Sequence, residues 1–167
     1  RAEALAIYDE LVKTLDTFEL HKHRARLLRT LDRFAESRVE IDHAIALLPG
    51  KYDGYRERAW LHADTEQWQG MLADVRRGLE IHPLDPELNR GLGWALEELG
   101  DVRGAIEGYS VAAKWAPKSS LFLQIGKLEL DDAHDPKAAR VALERAIALE
   151  PDSKWAWYNL ADALEQL

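Results

Sequence analysis

Residues capable of chemistry are present in this sequence, but their spacing does not form a known catalytic motif. The chain has no cysteine, which excludes thiol nucleophiles, disulfides and thiolate metal sites. Gly91-Leu92-Gly93 begins like a phosphate-binding loop, but the third glycine is missing and the residues fall inside a predicted helix. No Gly-x-Ser-x-Gly elbow occurs. We therefore predict that the chain is not an enzyme.

Metal-binding patterns are also weak. His21 and His23 are two residues apart on a predicted helix, so their side chains point in different directions and cannot chelate one ion. The acidic turn at 131–136 lacks the spacing of a calcium loop. The other carboxylates fall at positions typical of a solvated helix face. We expect no metal and no cofactor.

Basic and aromatic residues form a more informative pattern. Trp60 and Trp94 are 34 residues apart, and each lies off the apolar stripe of its predicted helix. Arg56 precedes Trp60 by four residues and Arg90 precedes Trp94 by four, a spacing that places each pair on one helix face. Either these residues line a ligand-binding strip, or the arginines only cover the tryptophans through cation–π contacts.

Helices must position these residues. The stretch Gly91–Pro117 contains two amphipathic segments, in which apolar residues recur at helical spacing. Gly100 is predicted to end the first helix in the left-handed conformation, and Asp101 to cap the second. Gly93 lies within an apolar stripe, where the missing side chain permits close approach of a neighbouring helix. The stretch therefore predicts a helical hairpin.

This hairpin recurs along the chain, since prolines fall every 34 residues, at Pro49, Pro83, Pro117 and Pro151. The chain resembles the tetratricopeptide repeat (TPR) family over essentially its whole length. The matching positions are Asn89, Leu92, Gly93, Leu96, Ala105, Tyr109, Ala112 and Pro117, with Trp157-Tyr158-Asn159-Leu160-Ala161 repeating the start of the motif. The resemblance implies an all-α fold, a right-handed superhelical solenoid of antiparallel helix pairs.

The period divides the chain into one array. We assign residues 1–17 to the second helix of an incomplete repeat, residues 18–51, 52–85, 86–118 and 119–153 to four repeats, and residues 154–167 to the first helix of another. The unit 119–153 is expected to carry a longer turn between its helices.

Several large side chains need individual interpretation. Arg24 and Arg58 replace leucines of the family motif, and either their stems pack while their heads reach water or a carboxylate, or they mark a partner surface. Trp68, Trp115 and Trp157 are predicted to be core residues.

The resemblance also implies a function, since the first helices of TPR repeats line a concave groove that binds peptides. It implies a non-catalytic protein-interaction scaffold that binds an extended segment, acidic or carboxylate-bearing. Two alternatives stay open: a TPR module of a bacterial polysaccharide synthesis or export machine, and a regulatory arm of an enzyme with its catalytic domain elsewhere. The implied groove residues are Lys22, Arg26, Arg56, Trp60, Arg90, Trp94 and Lys127.

Composition limits the partners. The net charge of −8 argues against general nucleic-acid binding. No apolar run approaches the roughly 18 residues that cross a membrane, and no signal peptide is visible, so we expect no membrane insertion and leave cytoplasm and periplasm open. The chain begins with Arg1, so we expect a fragment. Head-to-tail self-association is expected through apolar stripes at the two ends: Ile7, Tyr8 and Leu11, and Leu160, Ala163 and Leu164.

Overall fold

The computed structural model describes residues 2–167, and over that range the chain forms ten α-helices and no strand. The all-α prediction is confirmed. The predicted first helix began at Arg1, which lies outside the described residues. In chain order the helices are α1 Ala2–Leu11, α2 Phe18–Arg29, α3 Phe34–Leu47, α4 Tyr52–Asp64, α5 Trp68–Ile81, α6 Pro86–Glu98, α7 Val102–Trp115, α8 Ser119–Lys127, α9 Pro136–Leu149 and α10 Lys154–Glu165.

Local signals in the sequence set several helix boundaries. Gly100 has a φ of +81°, the left-handed conformation that ends α6. The Asp101 side chain then accepts a hydrogen bond from the Gly104 N–H at 2.9 Å and caps α7. Asp85 and Asp135 cap α6 and α9 in the same way, each followed by a proline at the first helical position. The predicted cap and turn at 100–101 are confirmed.

The chain divides into two compact units, one ending at Pro83 and the other beginning at Leu84. In the first unit, α2 pairs with α3 and α4 with α5, while α3 packs against α4 and α1 against α2. In the second unit, α6 pairs with α7 and α8 with α9, while α7 packs against α8 and α10 against α9. Each unit is thus a stack of helical hairpins.

Buried positions in the second helix of each hairpin repeat every 34 residues. One series lies against the first helix of its own pair and is small or apolar. The buried series are Ser37, Met71, Ala105 and Ala139, then Ile41, Val75, Tyr109 and Leu143, then Ala44, Gly78, Ala112 and Ala146. The apolar periodicity thus marks the faces along which the helices pack.

The α6–α7 pair is held by a glycine contact. A Cβ on Gly108 would lie 2.6 Å from the backbone nitrogen of Gly93, and a Cβ on Gly93 would lie 2.7 Å from the Tyr109 ring. The close approach expected at Gly93 is therefore confirmed, and Gly108 is the closest facing backbone. Two helices can approach this closely only where both lack a side chain.

The expected irregularity in the unit 119–153 takes the form of a π-helical turn. Leu128–Asp132 follows α8 directly, and the Ala133 N–H donates to the Leu128 carbonyl five residues earlier at 2.9 Å. A π-helical turn inserts one residue without ending the helix. The extra residue is accommodated at the end of α8 as well as in the loop before α9.

Arg58 occupies its leucine position by binding two carboxylates. It donates to Asp74 of α5 at 2.8 and 2.6 Å and to Asp42 of α3 at 2.7 Å. Asp74 is only 7% exposed, so its charge depends on Arg58 for compensation. The bidentate hydrogen bonds to Asp74, with the contact to Asp42, raise the pKa of Arg58 above its usual range.

Arg24 repeats this arrangement one hairpin earlier. It donates to Asp9 of α1 at 3.0 and 2.7 Å and to Glu40 of α3. Each arginine therefore bridges the second helix of its own hairpin and the helix before it. Of the two interpretations of these arginines, contact with a carboxylate is confirmed.

Two of the three tryptophans predicted to be core are wrong. Trp115 is 52% exposed because it is the last residue of α7, beyond the buried Ala112 and Ala113. Trp157 is 53% exposed, since α10 turns Ala156 toward α9 instead. Trp68 is half-buried at the start of α5.

The end stripes also differ from expectation. Helix α1 ends at Leu11, not near Asp16, and Ile7 is 63% exposed. Leu160 and Ala163 are not available for association, because they are buried with residues of α9 in one apolar cluster. Head-to-tail association stays a prediction that rests on the exposed Ile7, Leu11 and Leu164.

The glycine contact predicts a specific cost. Gly108→Ala should lower the free energy of unfolding by about 1–3 kcal/mol, although alanine favours helix, because the new methyl meets backbone that cannot rotate away. Gly93→Leu should cost at least as much. Urea denaturation measures both. Gly50→Ala is the control, since a Cβ there meets no atom within 4 Å; equal stability of Gly108→Ala and Gly50→Ala would refute the close contact.

The Arg58 bridge makes a second prediction. Arg58→Met should lower the free energy of unfolding by about 3 kcal/mol or more, because it leaves the Asp74 carboxylate buried and uncompensated. The double variant Arg58→Met/Asp74→Leu should recover most of that loss in the same urea titration. Arg103→Met, which breaks an exposed pair with Glu107, is the control and should unfold like wild type. A single variant as stable as its double would contradict the argument.

Candidate functional site

The predicted cations of the first unit lie on α2 and α4 and are bound to nearby carboxylates. Lys22 is buried and donates to Glu19 one turn earlier at 2.5 Å. Arg56 donates to Asp53 on its own helix at 2.7 Å. Trp60 is half-buried on the same helix. The unit therefore places the predicted residues on the first helices of its hairpins, as expected, but their charges are compensated.

Ion pairs also join α2 to α4. Arg26 binds Glu57, which is only 5% exposed, and this hydrogen bond raises the pKa of Arg26. A second pair joins Arg29 to Asp64 at 2.7 Å. Lys51, at the start of α4, binds Glu19 at 2.8 Å. These pairs tie the two helices together across the face where the groove was predicted.

In the second unit the corresponding face is open. A cavity of about 410 Å³ lies between α6 and α8, with Tyr109 of α7 contributing to its wall. We refer to it as the α6–α8 cavity. Its lining residues are Arg90, Trp94, Glu97, Glu98, Tyr109, Ser120, Leu121 and Gln124.

Glu97 organises the polar groups of the α6–α8 cavity. The Tyr109 hydroxyl donates to Glu97 at 2.6 Å, and the Gln124 amide donates to its other oxygen at 2.5 Å. Burial and this hydrogen bond raise the pKa of Tyr109, so the hydroxyl stays protonated and remains a donor. At the same end, the Trp94 indole N–H donates to Glu98 at 3.2 Å.

The other end of the cavity is basic. Arg90 donates from Nε and Nη2 to Glu87 at 3.1 and 2.8 Å, and Lys118 donates to the other Glu87 oxygen at 3.2 Å. Partial burial opposes the charge of Glu87, but the two cations outweigh it and hold its pKa below the usual range. The two ends of α6 therefore present opposite charge, with Arg90 near one and Glu97 about 10 Å along the helix axis.

The structure thus brings Arg90 and Trp94 into one cavity. Lys127 is exposed at the end of α8 and is not part of the lining. The sequence pattern missed Glu97, Ser120 and Gln124. The 34-residue period contains a signal for Gln124, which falls at the position of Arg90 in the next hairpin.

Solved structures share this fold. The crystal structure of YrrB, described as a TPR protein with an unusual peptide-binding site, matches with a TM-score of 0.77 at 19% identity, covering 94% of this chain and 81% of that chain. The C-terminal part of a TPR repeat-containing protein from Cytophaga hutchinsonii matches with a TM-score of 0.85 at 13% identity, over 99% of this chain and 66% of that chain. The chain has the TPR fold.

Among curated proteins, this TPR chain is 28% identical to the human protein O-mannosyl-transferase TMTC1 over 98% of its own length. It is 31% identical to cellulose synthase operon protein C of Pseudomonas fluorescens over 77% of its length. It spans only 19% and 11% of those two proteins. No family model matches the chain. Among the helices of residues 2–167, none is long and apolar enough to cross a membrane.

The ion pairs on α2 and α4 predict an acid dependence. Hydrogen bonds from Lys22 and Lys51 hold the pKa of Glu19 at about 2, below its ordinary 4.5. Because the pKa is lowered by folding, these pairs stabilise the protein above about pH 4.5, and that contribution is lost as the pH falls toward 2. Glu19→Gln should lower the melting temperature at pH 7 and have no effect near pH 2.

The expected difference is below about 1 kcal/mol, since Glu19 is half exposed. Calorimetric scans of wild type and Glu19→Gln between pH 7 and 2.5 measure it. Glu165→Gln at the exposed end of α10 is the control. A Glu19→Gln difference that is independent of pH would show that the ion pairs are not its source.

Proposed function

We propose that this chain is a protein-interaction scaffold and that the α6–α8 cavity binds an extended segment of another protein. The observation that carries the proposal is the presence of Arg90 and Trp94 together on one open cavity of about 410 Å³. Aromatic and arginine side chains contribute most of the binding energy at protein interfaces. The fold supports an interaction role, and YrrB, which shares it, is described as having a peptide-binding site.

The charges of the cavity specify the ligand. A carboxylate of the segment would join or displace Glu87 at Arg90 and form charge-assisted hydrogen bonds. An apolar or aromatic side chain would pack on Trp94. Glu97 and Glu98 only accept hydrogen bonds when ionised, so that end favours backbone or amide N–H groups. The ligand is therefore an extended segment with an acidic group about three residues from a donor-rich end, since a strand rises about 3.3 Å per residue.

The wider strip stays part of the proposal as first predicted. It would add Lys22, Arg26, Arg56, Trp60 and Lys127. The cations of α2 and α4 contribute only if a ligand competes with Glu19, Glu57 and Asp53. We therefore expect Arg90 and Trp94 to dominate binding.

A peptide selection tests the proposal. A phage library of random dodecapeptides is selected on the wild-type chain, and synthetic peptides from it are titrated by calorimetry. They should lose at least about 10-fold in affinity on Arg90→Gln and on Trp94→Ala, the loss of a hot-spot contact. Their affinity for Arg103→Gln, on an exposed face of α7, should be unchanged.

Replacing the acidic residue of a selected peptide by its amide should weaken binding to wild type but not to Arg90→Gln. This pairing separates a direct contact from a general charge effect. Selected peptides that bind Arg90→Gln and Trp94→Ala as tightly as wild type would refute the α6–α8 cavity as the site.

One alternative is favoured by a specific observation. Similarity to cellulose synthase operon protein C supports a TPR module in a polysaccharide synthesis or export machine, where tryptophans such as Trp94 would stack on sugar rings. Cello-oligosaccharides titrated in the same calorimeter distinguish it from the peptide proposal. Similarity to a segment of TMTC1 keeps open a third role, a non-catalytic arm of a transferase. In each case we infer that chemistry is performed outside this chain.

A further inference from the structure

Three potential ligand side chains converge in the first unit, away from the α6–α8 cavity. Asp16 lies in the segment between α1 and α2, His21 on α2 and His43 on α3. One ligand atom from each lies within 4.8 Å of the others. Asp16 Oδ1 is 3.0 Å from His21 Nε2 and 2.6 Å from His43 Nε2. The two imidazole rings meet edge-on with centroids 4.4 Å apart.

The hydrogen bonds of His21 call for a cation. Its Nδ1 lies 2.7 Å from Glu40 Oε2, and its Nε2 faces Asp16. A neutral imidazole carries one N–H, while ionised carboxylates only accept. A neutral His21 therefore satisfies one carboxylate and turns a lone pair toward the other. A proton or a metal ion must lie on one side of the ring.

The geometry places that ion on the Asp16 side. Glu40 is 13% exposed and is held by Arg24 on its other oxygen, so it is positioned to accept the His21 Nδ1–H. A carboxylate behind a histidine fixes its tautomer and leaves Nε2 as the ligand atom. Asp9, Asp16 and Glu40 carry three negative charges against the single charge of Arg24, so the cluster has a formal charge of −2 with neutral imidazoles.

We propose that Asp16, His21 and His43 bind a divalent transition-metal ion of the Zn²⁺ class. The ligands are the Nε2 atoms of both histidines and a carboxylate oxygen of Asp16, with Glu40 orienting His21 from behind. Two imidazoles and one carboxylate form a donor set that suits Zn²⁺ and leaves a fourth position for water. The bound ion would fasten the α1–α2 segment to α2 and α3.

The site is reachable from solution. The Asp16 and His43 side chains are 63% and 46% exposed, so an ion can enter without opening the fold. The same exposure means that replacing either residue removes no core contact. This proposal departs from the sequence expectation of no metal, which considered only His21 and His23. His23 lies outside the cluster, with its Nε2 3.8 Å from Glu19.

Metal titration tests the proposal. The chain is stripped with a chelator and titrated with ZnCl₂ at pH 7.5 by calorimetry, and with CoCl₂ by visible absorption. Wild type should bind one ion and show the d–d bands of Co²⁺ in a low-coordinate N,O site. Asp16→Asn and His43→Gln should each lose at least 10-fold in affinity, whereas the control His23→Gln should bind like wild type. Zn²⁺ should raise the melting temperature of wild type and His23→Gln only.

Three results would overturn the proposal. One is the absence of binding heat, Co²⁺ bands and a melting shift in wild type. Another is unchanged affinity in both Asp16→Asn and His43→Gln, with circular dichroism confirming that they fold. The third is a ¹⁵N spectrum of zinc-treated wild type in which His21 keeps both ring protons, because the cation would then be a proton.

Discussion

The close approach of the two helices in each hairpin is the constraint on which the structure depends. Gly93 and Gly108 bring α6 and α7 together, and small residues such as Ala44 and Ala112 fill equivalent buried positions. A contact made by small residues buries little apolar area on its own. Each hairpin therefore gains stability by stacking on its neighbour, which is the behaviour of repeat proteins.

The two units complete this stacking differently. In the first, charged residues take positions that are apolar in the family motif: Arg24 and Arg58 bridge carboxylates on successive second helices, and Arg26 binds the buried Glu57. In the second, α6 and α8 are joined through Tyr109, Glu97 and Gln124, which leave a cavity beside them. Charge in the first unit is therefore used mainly inside the fold, and the second presents the open surface.

The two proposed sites follow from this difference. Peptide binding is assigned to the α6–α8 cavity because aromatic, cationic and acceptor groups face the same open space there. The metal is assigned to the first unit because its dense carboxylate pairing leaves His21 between two acceptors. Both proposals concern side chains at the edges of the hairpin contacts, where the repeat pattern allows residue types to vary.

Sequence alone determined the helical hairpins, their 34-residue period, the turn at Gly100-Asp101 and the close contact at Gly93, because these depend on neighbours within one or two helical turns. It also placed Arg90 and Trp94 on one face. Tertiary structure decided the carboxylates of Arg58, the exposure of Trp115 and Trp157, and the meeting of Asp16 with two histidines. Those contacts join residues 15 to 35 positions apart, and their formation depends on how far each side chain reaches across the helix interface, which a periodic pattern does not specify.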